Sequence, residues 1–129
     1  MIHRQFYREL GKILYAIAYS DGMVQPVEIK KMESIIADEI KTVNLKNHNP
    51  EYKEIILVKL SFQNCMTEKL ASKKCADSFL FFIRQHGQEI DPHQKQLALN
   101  LVSQVSETYK GKSRIEKKLE TEVIRLLSV

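Results

Sequence analysis

Apolar residues recur every three to four positions along most of the chain, the spacing of a helix with one buried face. Phe6, Leu10, Ile13, Leu14, Ile17 and Ala18 make the first stripe. Gly22 is placed to stop that helix, because glycine takes the left-handed conformation without steric cost. Pro26 suits the first position of a second helix, where its missing N–H is not needed. Ile29, Met32, Ile35, Ile36 and Ile40 supply the second stripe, and the polar run Asn44 to Asn49 reads as a loop. Asn49-Pro50-Glu51 joins a capping residue, a proline and an acid, the start signal of a third helix. That helix is predicted from Pro50 to about Phe62, carrying Tyr52, Ile55, Ile56, Leu57, Val58 and Leu60. The Ile-Ile-Leu-Val run also suits a buried strand, but no other strand-like segment exists to pair with it.

Thr67 is expected to cap a fourth helix that buries Leu70, Ala71, Cys75, Phe79, Phe82 and Ile83, with Gly87 as its stop. Asp91-Pro92 begins a fifth, turning Leu97, Ala98, Leu101, Val102 and Val105 inward. Ser113-x-x-Glu116 is a capping box for the last, whose core face is Ile115, Leu119, Val123 and Leu126. The two halves resemble one another. Asp21-Gly22 lies ahead of His86-Gly87, and with one inserted residue Val24 and Pro26 match Ile90 and Pro92. The predicted fold is therefore all-α: a single-domain bundle of about six helices, residues 1–129, with a pseudo-repeat of two three-helix halves.

Composition adds limits. A chain of 129 residues suits one domain with one hydrophobic core. The net charge of +4 is spread among interleaved acids and bases, so solvated helix faces account for it. Nucleic-acid binding is not expected. The basic residues Lys110, Lys112, Arg114, Lys117 and Lys118 are interrupted by Glu116, Glu120 and Glu122. No apolar run reaches the ~18 residues of a membrane helix, and the start of the chain is polar, so no membrane insertion is expected. Cys65 and Cys75 are too far apart for a CxxC motif. Buried reduced thiols and a cytoplasmic location follow as expectations.

The candidate chemistry lies in the first turn. Asp21 ends one helix and Glu28 begins the next, so a chain reversal at Gly22 brings both carboxylates toward one point. Two carboxylates with loop carbonyls make a hard-oxygen site, suited to a weakly bound divalent cation, Ca or Mg. The structural alternative is equally complete. Glu28 gains about 0.3–1 kcal/mol from the helix dipole, and Asp21 before glycine forms an Asx-turn. The second turn lacks the acids, with His86 and Gln94 in their places. Asp91 reads there as an N-cap, and His86 and His93 as solvated.

The stretch Ala18-Tyr19-Ser20-Asp21-Gly22-Met23-Val24-Gln25-Pro26-Val27-Glu28, after its apolar helix, resembles the TerB-like tellurite-resistance domain, also found at the N-terminus of membrane-anchored DjlA co-chaperones. The resemblance spans the whole chain and implies an all-helical repeated core. It also implies metal binding by the acids of the DGxVxxxE motif, here Asp21 and Glu28, and a link to tellurite and stress responses. At the second turn the chain departs from a two-sided acidic site.

No GxSxG, HExxH or phosphate-cradling loop is present, so no enzyme is expected. Two functions are carried forward. One is a TerB-like adaptor or sensor whose turn binds a divalent cation or a protein partner. The other is a metal-free helical protein–protein interaction module, such as a homodimer, with the acids only capping helices. Its motive is the apolar surplus of Ile55-Ile56-Leu57-Val58 and Phe79-Leu80-Phe81-Phe82-Ile83, which equally fits two helices lying centrally in the core.

Overall fold

A computed structural model of the chain describes residues 2–18, 30–31, 33–38, 52–108 and 114–127. The described residues are helical with short turns and contain no strand, so the fold is an all-α bundle. We number the helices α1 (Ile2–Ala18), α2 (residues 30–31 and 33–38), α3 (Tyr52–Thr67), α4 (Ser72–His86), α5 (Pro92–Thr108) and α6 (Arg114–Leu127). A single 3-10 turn, Gly87–Glu89, joins α4 to α5. The contacts do not divide the helices into two three-helix halves, since α1 packs on both α3 and α4. Helices α4 and α5 both pack on α6.

Helix α1 is the hub, touching α3, α4, α5 and α6. Phe6, Leu10, Ile13, Leu14 and Ile17 are fully buried, and every residue from Ile13 to Ala18 is inside. The run from Ile13 has no charge to hold in water, so the last turns can be enclosed on all sides. Each large apolar side chain buried in this way contributes on the order of 1.5–3 kcal/mol. Against α1 lie Val58, Phe62, Phe79, Leu101 and Val105, also buried.

The α1–α3 crossing is close because of one residue. A Cβ added at Gly11 would lie 2.6 Å from Cβ of Ser61 and 2.7 Å from the Val58 carbonyl oxygen. The Ser61 hydroxyl donates back to the Arg8 carbonyl at 2.5 Å. Helix α2 leans on α3 through Glu33, whose carboxylate accepts from Gln63 at 3.3 Å and pairs with Lys59 at 3.6 Å.

The turn between α3 and α4 differs from the sequence expectation. Helix α3 continues beyond Phe62 to Thr67, so Thr67 closes one helix and does not cap the next. The N-cap of α4 is Ala71, with no side-chain bond. Between them Lys69 adopts φ 51°, its N–H donates to the Met66 carbonyl at 3.2 Å, and that of Leu70 donates to the Cys65 carbonyl at 3.1 Å. This is a Schellman reversal with lysine where glycine is usual. Leu70 and Ala71 consequently face solvent and are not core residues. The Tyr15 hydroxyl donates to the Leu70 carbonyl at 2.8 Å, tying the turn to α1.

The α4–α5 junction keeps its expected position but not by positive φ. Gly87 is right-handed, φ −55°, ψ −34°, and continues into the 3-10 turn. Asp91 caps α5 as expected: its carboxylate accepts from the Gln94 N–H at 2.9 Å, and Gln94 accepts from the Asp91 N–H at 3.2 Å. That reciprocal pair is a capping box. The buried Gln94 amide also reaches the Tyr7 hydroxyl at 3.5 Å, joining α5 to α1.

Candidate docking groove

Asp21 and Glu28 lie outside the described residues, as do Lys110, Lys112 and the predicted cap Ser113. Among the described residues no group of three or more His, Cys, Asp or Glu side chains comes together to hold a metal. His86 stands 2.7 Å from the Glu89 carboxylate, with its ring against Phe82, while His93 is exposed. The two histidines therefore have separate surroundings.

The geometry points instead to the outer face of the α1–α3 pair. A groove of about 890 Å3 runs along it. Arg4, Gln5, Arg8, Glu9 and Lys12 of α1 form one wall, and Leu57, Leu60, Ser61 and Asn64 of α3 the other. These positions follow from helical spacing: residues four apart on α1 and at i, i+3, i+4 and i+7 on α3 share a face. The close approach at Gly11 holds the two walls in fixed register.

Charge is distributed unevenly within the groove. Glu9 is nearly buried, and both of its oxygens have partners: Lys12 Nζ at 2.9 Å and the Ser78 hydroxyl, donating from α4, at 2.7 Å. Lys12 also donates to Ser78 Oγ at 3.3 Å. Such a closed network neutralises Glu9 and Lys12 against each other and fixes α1 on α4. Arg4 and Arg8 are exposed, and among the described residues no carboxylate pairs with either. The groove therefore carries net positive charge on its α1 wall.

The α3 wall sets exposed Leu60 and Asn64 beside half-buried Leu57 and Ser61. Leu60 is 56% exposed, and Ile56, one turn earlier and beside the groove, 51%. The apolar surplus of α3 is thus divided: Val58 and Phe62 enter the core, whereas Ile56 and Leu60 do not. On α4 the division is similar, with Phe79, Leu80, Phe82 and Ile83 inside and Phe81 64% exposed. Phe81 lies among Asp77, Arg84 and Gln85 on its own helix face.

A second cavity of about 590 Å3 lies where α1, α4 and α6 meet, over Ala16, Ala76, Leu80 and Leu119. Its rim alternates sign, Lys73 and Lys118 with Asp77 and Glu122, and so favours no ligand charge. Glu122 is already engaged: the Arg125 guanidinium, then Arg84, hold its carboxyl below the usual range, at 2.6 and 3.1 Å.

Sequence periodicity alone could not reveal the groove, since it identifies inward faces and not which outward faces become neighbours. Its one advance signal was the apolar surplus on the third helix. No family model, curated protein or solved structure matches the chain, so the functional reading rests on the shape and charge of this groove.

Proposed function

We propose that the protein is a helical interaction module whose α1–α3 groove docks an acidic amphipathic helix from a partner protein. The observation that supports this is an Arg4–Arg8 edge, with no paired carboxylate among the described residues, facing exposed Leu60 across one groove. Helix-in-groove recognition uses apolar anchors at i, i+3, i+4 and i+7 on one element and complementary charge at the rim. Burying a leucine is worth about 1.5–3 kcal/mol, an exposed ion pair about 0.2–1. Affinity then comes from the α3 wall, and the arginines set orientation and choice of partner.

The test is fluorescence anisotropy of a labelled synthetic helix, with leucines at i, i+3, i+4 and i+7 and glutamates on its flanks. Leu60→Glu should weaken binding by at least about tenfold, a loss of roughly 1.4 kcal/mol. Arg8→Glu should weaken it less and reduce its dependence on salt. Equal binding by both variants removes the groove from the proposal. Sedimentation showing a concentration-dependent dimer sensitive to Leu60→Glu would assign the same face to a second copy of the chain.

A second reading rests on the DGxVxxxE stretch. In it the module is a TerB-like adaptor or sensor in which Asp21 and Glu28 hold a divalent cation, in a setting of tellurite or stress response. Calorimetric titration with calcium, magnesium and manganese, repeated on Asp21→Ala, tests it. Heat of binding that survives the substitution unchanged refutes it. We place the module in the cytoplasm, a reducing compartment that suits its two unbonded thiols. Among the described residues no helix is long and apolar enough to cross a membrane.

A further inference from the structure

Cys65 and Cys75 are separated by a turn in sequence but meet in space. Cys65 lies in the last turn of α3 and Cys75 in the first turns of α4, and the reversal at Lys69 folds the two helix ends together. Their sulfurs are 3.8 Å apart, and both side chains are buried. The backbone around them is fixed on each side: the Cys65 carbonyl accepts from Leu70 N–H, and Cys75 N–H donates to the Ala71 carbonyl at 3.1 Å. Lys12 and Glu9 of α1, paired with each other at 2.9 Å, act on both thiols in opposite directions.

We propose that Cys65 and Cys75 are a redox-active dithiol that closes to an intramolecular disulfide by exchange with a low-molecular-weight disulfide such as oxidised glutathione. The thiolate of Cys75 attacks one sulfur of the glutathione disulfide, forming a mixed disulfide and expelling one glutathione thiolate. The thiolate of Cys65 then attacks Cys75 Sγ and expels the second. The two thiol protons pass to the two departing glutathiones, so one disulfide is reduced as one forms. Burial raises both thiols, but the contact with Cys75 raises Cys65 further whereas the contact with Cys65 lowers Cys75, so Cys75 leads. Bond formation shortens the sulfur separation to about 2 Å. The reagent gains access when the exposed turn, Glu68 to Ala71, opens locally.

The reduced full-length chain is exposed to oxidised glutathione, quenched with iodoacetamide in denaturant and weighed intact. A denatured sample treated alongside shows that the reagent reacts. The expected product is a monomer lighter by two hydrogen atoms, carrying neither glutathione nor the alkyl group, and restored by dithiothreitol. Cys65→Ser should instead stop at one glutathione adduct on Cys75. Should that variant not fold, the wild-type mass decides alone. Two glutathione adducts, a disulfide-linked dimer, or two alkylated thiols in the folded sample would overturn the proposal.

Discussion

Gly11 sets the distance between the two helices that bear the groove. An interior glycine ordinarily costs a helix about 1 kcal/mol relative to alanine, so Gly11→Ala would stabilise α1 taken alone. The neighbouring atoms reverse that sign. A methyl group 2.7 Å from the Val58 carbonyl has rigid backbone against it, and Ser61 Cβ is nearer still. Gly11→Ala is expected to lower stability by about 1–3 kcal/mol net in urea unfolding, the usual cost of overpacking. Cys65 gives a second expectation at this scale. Burial, then the Cys75 charge, raise its thiol from 9.0 to about 12. Folding thus favours the neutral form, a contribution complete below pH 9.0 and lost as pH rises toward about 12. The stability advantage of wild type over Cys65→Ser, kept reduced, should shrink across that interval.

At the level of elements, the helices with clear start signals were legible. Asp91-Pro92 announces α5, and the capping box there has both its bonds. Asp91→Ala should cost about 0.5–2 kcal/mol in thermal unfolding, the range for lost N-caps. The α3–α4 reversal was not legible, for a physical reason. Sequence reading finds such turns through glycine, and here a lysine takes the left-handed position at φ 51°. With the stop hidden, Thr67 resembled a cap and Leu70 a core residue. Lys69→Gly is expected to raise stability by up to about 1 kcal/mol, because glycine carries no left-handed penalty. An unchanged or lowered urea midpoint would show that the lysine side chain matters more than its backbone strain. Meeting of the thiols was hidden by the same turn, since ten positions of sequence carry no distance until the reversal is known.

For the molecule as a whole, the apolar stripes of α1, α4 and α5 were enough to specify an all-α bundle. Their buried faces are those the spacing picked out: Phe6, Leu10 and Ile13, then Phe79 and Phe82, then Leu97 and Leu101. Periodicity says nothing of how helices are arranged around one another. It could not place α1 at the centre or set Arg4 and Arg8 opposite Leu60. The groove is a product of that arrangement and has no sequence motif, whereas Asp21 and Glu28, which form one, lie outside the described residues.

The central position of α1 also bears on how the chain is made. Because α1 precedes α3, α4 and α5 in the chain, it can pack against them only once they too have been synthesised. Throughout that interval its apolar stripe, Phe6, Leu10, Ile13, Leu14 and Ile17, is open to water, with Arg4, Arg8 and Lys12 along its other flank. The two arginines proposed to meet a partner in the finished molecule thus flank the face that the unfinished one leaves uncovered.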